Sequence, residues 1–300
     1  MAKDHYVAQT YLRSFKIPGL KSDCVNVWRK SNLEKLTAIP INSICYKIDW
    51  STNPHFPENP RIVEGFLKQI EPKWPSCVRQ LSEDTYDTDT KYLIAGYLAY
   101  LRTYTPTAAR LGTSQTSNML GQLYKVIEHN ELNNPNSKHK EAFETVRKHG
   151  IKIDVDPSYP KALGLSHIER IQKVYANSPW IVFKNETGIP LITSDNPLGM
   201  YYHDALNCDF YFPITPRLAI IIHPLPENAP READTMGALK CEGVRVFNQL
   251  TAQSAEDLVI FDDSQDVEKL VHDYHDWRVE AITKNIASLT IYQQRAKKYK

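Results

Sequence analysis

Apolar positions are densest at residues 92–101. Tyr92, Leu93, Ala95, Gly96, Leu98, Ala99, Tyr100 and Leu101 leave almost no polar face there. A helix that is apolar nearly all round belongs at the centre of a core. Asp89 or Thr90 caps its start, and Pro106 breaks or kinks the chain after it. A second helical segment follows, with Leu120, Leu123, Val126 and Ile127 on one side. Upstream, Ile62, Phe66, Ile70 and Trp74 recur every four residues, which predicts a helix over 61–81 that Pro72 and Pro75 kink or split. Residues 140–148 read as a short charged helix and 151–165 as irregular chain. Ser166 caps a helix over 167–177.

Alternation with period two marks the strands. Val25-Asn26-Val27-Trp28 alternates, Ser31-Asn32 turns, and 37–41 returns; Ile44, Tyr46 and Ile48 continue a β pattern. Residues 51–60 hold three prolines and form a loop. Two β-prone runs, 180–183 and 190–193, flank the turn formers Asn185, Glu186, Thr187 and Gly188, which predicts a hairpin. Its second strand runs into Ser194-Asp195-Asn196-Pro197, a polar turn at a strand end. Residues 209–212 and 214–223 follow, with the apolar run 218–222 as a central strand. Residues 243–249 read as a short strand, 254–259 as a short helix or turn, and 267–281 as a final helix. The pattern predicts one α+β domain over 1–300, an antiparallel sheet packed against a helical layer. The helical layer lies mainly in 61–130 and 139–177, the sheet mainly in 25–48 and 180–222. The helix over 93–101 is expected to be the most buried.

Composition narrows this picture little. The chain of 300 residues is 42% apolar and 24% charged, as ordinary globular proteins are. Lys plus Arg is 36 against 35 for Asp plus Glu, so net charge favours neither nucleic acid nor membrane as a partner. Cys24, Cys45, Cys77, Cys208 and Cys241 are odd in number and far apart, with no C-x-x-C pair. This argues for reduced thiols, a cytoplasmic location and neither a disulfide scaffold nor a zinc site. Residues 1–15 carry no apolar signal-peptide region, and no apolar run reaches membrane-spanning length.

Candidate chemistry is sparse. There is no Walker loop, G-x-G-x-x-G, H-E-x-x-H or G-x-S-x-G. Asp4 can cap a short helix over 5–15 in which His5, Gln9 and Arg13 form a polar stripe while Tyr11, Leu12 and Phe15 face inward. The stripe is either a solvated face or one wall of a pocket. Glu64 and Glu71 lie seven apart on one helix face, as surface charges or as a carboxylate pair for a metal. His272 and His275, with Asp273 and Asp276, are spaced for a divalent metal or are surface residues. Arg102 ends the central helix, either in a structural pair or as an anion-binding group.

His5-Tyr6, Gln9, Tyr11-Leu12-Arg13 and Phe15 resemble the N-terminal signature H-Y-V-P-Q-x-Y-L-R-x-F of the domain-of-unknown-function family DUF4238. Ile192-Thr193-Ser194-Asp195-Asn196-Pro197 is similar to its second signature, and Phe212-Pro213-Ile214-Thr215-Pro216 to its third. The chain departs in having Ala8 for the proline, Thr10 for an aromatic residue, and Arg102-Thr103-Tyr104-Thr105-Pro106 for Arg-Thr-Pro. The resemblance supplies no activity. It implies that His5, Gln9, Ser194, Asp195 and Asn196 share one site, and the expectation is that His5 and Asp195 meet in space.

Three function classes remain open, and enzyme versus non-enzyme is undecided by the residues. The first is a hydrolase acting on a phosphate-containing substrate such as nucleic acid or a nucleotide, with a divalent metal as an optional cofactor. Its catalytic residues would be His5 as acid/base and Asp195 as metal ligand or base. Arg102 would clamp the anion, and Tyr6, Gln9, Ser194 and Asn196 would bind. The second is a non-catalytic ligand- or protein-binding and sensing module. In the third, the polar signatures only lock the fold.

Overall fold

The computed structural model of the chain describes residues 1–150, 153–202, 208–225, 233–262 and 266–279. Strand β1 (Lys3–His5) opens the fold and pairs antiparallel with β4 (Tyr46–Ile48). The predicted helix over 5–15 is therefore only half formed, as α1 (Gln9–Leu12) running into a 3-10 turn at Arg13–Phe15. Asp4 is the reason. Its carboxylate takes both terminal nitrogens of Arg61, at 2.6 and 3.2 Å, and the Ser51 N–H at 2.8 Å, so it caps no helix. Strands β2 (Cys24–Arg29) and β3 (Glu34–Pro40) form the expected hairpin.

The helical layer follows: α2 (Ile62–Ile70), α3 (Trp74–Glu83), α4 (Thr88–Tyr104), α5 (Pro106–Asn133), α6 (Lys140–His149) and α7 (Ser158–Asn177). A 3-10 turn at Glu71–Lys73 carries Pro72 and separates α2 from α3, where the prolines predicted a split. Asp87, rather than Asp89 or Thr90, caps α4 by accepting the Thr90 N–H at 2.8 Å. Leu98 and Leu101 are 0% and 2% exposed, so α4 is the buried helix expected. It packs chiefly on α7, and Gly96 permits the approach: a Cβ there would meet the Gln172 amide at 2.8 Å. Helix α7 begins within the stretch read as irregular, because Pro160 lies in its first turn, where a missing N–H costs nothing.

The remaining elements are β5 (Trp180–Asn185), β6 (Thr193–Ser194), β7 (Gly199–Tyr202), β8 (Cys208–Thr215), β9 (Leu218–Ile222), β10 (Thr235–Leu239), α8 (Cys241–Ser254), β11 (Leu258–Phe261) and α9 (Asp266–Tyr274). Strands order as β10-β5-β9-β8-β7 in one sheet and β3-β2-β11-β6 in another. The first is mixed, since β10 runs parallel to β5; the second is antiparallel. The fold is α+β with sheets packed on helices, but the strands of 25–48 and 180–222 divide between sheets. The predicted 180–193 hairpin does not form: β5 pairs with β9 and β10, and β6 with β11. Side-chain amides impose the crossing. Asn185 donates to the Ile189 and Pro216 carbonyls, and Asn248 holds the Pro190 carbonyl and Ile192 N–H. The stretch 243–249 lies in helix α8 and 258–261 is strand β11, the reverse of the reading from short apolar runs. Residues 280–281 of the expected final helix fall outside the described residues.

One large core joins α1, α3, α4 and the inner faces of the sheets, with smaller clusters beneath α8 and α9. Among the described residues no helix is long and apolar enough to cross a membrane.

Candidate functional site

The pairing of β1 with β4, followed directly by α1, places Lys3, His5, Gln9, Thr10 and Arg13 on one wall of a cavity of about 270 Å³. Asp4, Glu64, Leu67 and Glu71 complete it. The polar stripe and the seven-residue carboxylate spacing are thus two walls of the same space. The volume lies near the lower end of small-molecule sites, roughly 300–1,000 Å³.

His5 is half-buried and held on both ring nitrogens. Its Nε2 faces the Asn42 carbonyl at 3.3 Å, a contact that suits the neutral tautomer with the proton on Nε2 and Nδ1 as the acceptor. The Gln9 amide sits at 3.3 Å from Nδ1, a long contact that an incoming donor can displace. Burial pushes the imidazole pKa below its ordinary value; the Asn42 carbonyl opposes this, and Lys3 adds to it. Glu71 moves the other way. Burial and then the Glu64 charge raise its carboxyl above the usual value, against Arg13. Glu64 accepts the Ser51 hydroxyl. For Asp4, burial would raise the pKa, but the Arg61 fork and the Ser51 N–H outweigh it and hold the carboxyl ionised. Arg13, which lines the cavity, donates Nε to Asp23 at 2.9 Å. Lys3 Nζ lies 3.9 Å above the Tyr46 ring. Among the described residues no three His, Cys, Asp or Glu side chains are grouped to hold a metal ion.

Asp195 is elsewhere and differently used. It is 4% exposed, and both oxygens are occupied by backbone. Oδ1 accepts the Glu256 N–H at 2.9 Å; Oδ2 accepts those of Asp257 and Leu258 at 2.9 and 3.1 Å. Burial pushes its pKa up to about 6 despite these three donors. The carboxylate holds the entry to β11 against β6. Ser194 Oγ accepts the Asn196 N–H, and the Asn196 amide donates to the Ser254 carbonyl. The expected contact between His5 and Asp195 is absent, since neither hydrogen bond nor ion pair joins them and Asp195 does not line the His5 cavity.

The signature segments do converge, through Tyr11 rather than His5. The Tyr11 hydroxyl meets Thr193 Oγ1 and donates to the Pro213 carbonyl at 2.8 Å, while its ring stacks on Phe212 at 5.0 Å. Alternation along β1 turns the next side chain, Tyr6, toward Cys45, whose thiol it bonds, and into the electrostatic range of Asp195. Burial is the main cause of the raised Tyr6 pKa, ahead of these charges. Ala8 has an N–H that the Tyr97 hydroxyl accepts at 3.0 Å.

Arg102 is exposed and lies 5.6 Å from the Phe210 ring. It shares a cavity of about 20 Å³ with Asn196 and Ser254, apart from His5 and large enough for a water or two. His272 and His275 do not converge on a metal position. His272 packs edge-on against Trp28, and His275 turns its ring nitrogens to the His272 carbonyl and to Asp276. Lys3, Thr10, Glu64 and Glu71 escaped assignment to the site. The Glu64–Glu71 spacing was the available signal, and Lys and Arg neighbours made it look like solvated charge.

These features describe an α+β protein with a buried polar lock at Asp195 and an open polar cavity at its first strand. The sequence profile of the family described as Protein of unknown function (DUF4238) matches residues 3–265. The chain belongs to that family. No curated protein and no solved structure matches it.

Proposed function

We propose that the cavity between β1, α1 and α2 is the working site and that it hydrolyses a phosphate-containing substrate, a nucleic acid or a nucleotide. The observation that carries the reading is the shared cavity itself, which gathers one imidazole, three carboxyl groups and two cations. A neutral imidazole and a carboxyl biased toward its protonated form are the complementary pair that acid–base chemistry near neutrality needs. His5 Nδ1 takes the proton of an attacking water that displaces the Gln9 amide. The new P–O bond forms as the old one breaks, and Glu71 protonates the leaving oxygen. Lys3 and Arg13 offset the charge on the phosphoryl oxygens. Asp195, Ser194 and Asn196 act on stability, and Arg102 lies outside the reaction. Five free thiols support a reducing, cytoplasmic setting.

A second reading rests on one observation, that Gln9 already occupies His5 Nδ1. Under it the cavity binds or senses a phosphate-bearing ligand without turnover. Incubation of the purified chain with DNA, RNA and nucleotides, with and without Mg²⁺, Mn²⁺ and Zn²⁺, separates the two. Turnover that disappears in His5→Ala and Glu71→Gln at unchanged melting temperature supports hydrolysis. Ligand-induced stabilisation without turnover supports the binding module. Neither effect at any substrate overturns both.

A further inference from the structure

A cavity of about 440 Å³ opens between α8, α9 and the crossing segment at Ile189. Its volume is within the range of small-molecule sites. Its floor is apolar, made by Ile189, Val267 and Leu270, with the Tyr274 ring at one side. Val267 is 1% exposed, so the floor is continuous with the core cluster beneath α9. The walls are polar and helical. Arg245 and Gln249 stand one turn apart on α8, and Lys269 and Asp273 one turn apart on α9.

What marks the cavity is how little of this polarity is used. The side chains of Arg245, Gln249 and Lys269 make no hydrogen bond or ion pair among the described residues, and Arg245 forms none with Asp273 across the gap. Asn248, in contrast, uses both ends of its amide, donating to the Pro190 carbonyl and accepting the Ile192 N–H, and braces the wall. Two cations and a free amide over an apolar floor suit a ligand with a planar apolar body and one anionic group. We propose that this cavity is a binding site for an aromatic carboxylate or a comparable organic anion. The ring lies on Leu270 and Ile189 against Tyr274. The carboxylate receives the Arg245 fork and the Lys269 ammonium, with the Gln249 amide as a further donor. Asp273 on the same rim repels a second negative charge, which selects monoanions over polyanions.

Three probes sharing one ring test this: indole-3-acetate, indole-3-ethanol and tryptamine, titrated by calorimetry and ligand-observed NMR. Indole-3-acetate is expected to bind about tenfold more tightly than the neutral and cationic probes. Arg245→Gln with Lys269→Gln erases that preference; both side chains are exposed, so the fold tolerates them. The single variants, measured separately, keep the reading secure should the double variant lose stability. His5→Ala leaves the preference unchanged, which separates this cavity from the one at β1. Equal affinities for the three probes, an intact preference in the variants, or no saturable binding overturns the assignment.

Discussion

Asp195→Asn is the perturbation that separates a structural lock from a catalytic carboxylate. Asparagine keeps one acceptor for the Glu256 N–H and turns its NH₂ toward the Asp257 and Leu258 donors. Two N–H groups, that of Leu258 buried and that of Asp257 partly so, then lose their partner, at roughly 1–3 kcal/mol each. The wild-type carboxyl also carries a burial penalty, since its pKa rises from 3.8 to about 6 in the fold. A folded value above the unfolded one means the folded protein holds the proton more tightly. The stability linked to that proton is fully present below about pH 4 and is lost as pH rises through about 6, about 3 kcal/mol in all. Asparagine does not titrate. The cost of Asp195→Asn is therefore about 2–6 kcal/mol toward pH 4 and about 3 kcal/mol smaller near pH 8. Urea unfolding of both proteins across this range measures it. A cost that shrinks toward acid pH would show the three N–H groups holding the carboxylate ionised. Identical midpoints throughout would show that Asp195 does not hold β11.

Three further outcomes are expected. Gly199→Ala places a methyl group inside the Tyr211 ring, which is 2% exposed and fixed through its hydroxyl to Ser254, so unfolding should be easier by about 2–3 kcal/mol. Lys30→Met strips the Ala252, Ala255 and Trp277 carbonyls of a donor at 2.7–3.0 Å in a buried site, at roughly 2–5 kcal/mol by the same urea measurement. Burial and then the Glu64 charge raise Glu71, and the same charge raises His5, so Glu64→Gln should move both limbs of a pH–rate profile to lower pH.

Helices were legible where pattern and length agreed. The run at 92–101 could only be a buried helix, and Pro106 fixed where the next one starts. Short apolar stretches misled, because four to seven such residues suit a strand or a helix turn equally, as at Cys241–Ser254 and Leu258–Phe261. The crossing after β5 depends on Asn185 and Asn248, the second more than sixty positions away, and no local signal announces such a bond. The same limit governs the site. His5, Gln9 and Arg13 were visible as a stripe, and Glu64 and Glu71 as a pair. Their meeting across one cavity is a product of tertiary packing. Ser194, Asp195 and Asn196 were read as chemistry, yet their side chains hold backbone groups.

The central claim is that the His5 cavity accepts a phosphate group. NMR titration of the ring nitrogens, with His5 assigned among ten histidines through His5→Ala, tests it most directly. The free protein should show the His5 midpoint below 6.5. Saturating inorganic phosphate should raise that midpoint, because a bound anion favours the imidazolium. A His5 titration that phosphate leaves unmoved, or that moves no more than those of the exposed histidines, contradicts the account.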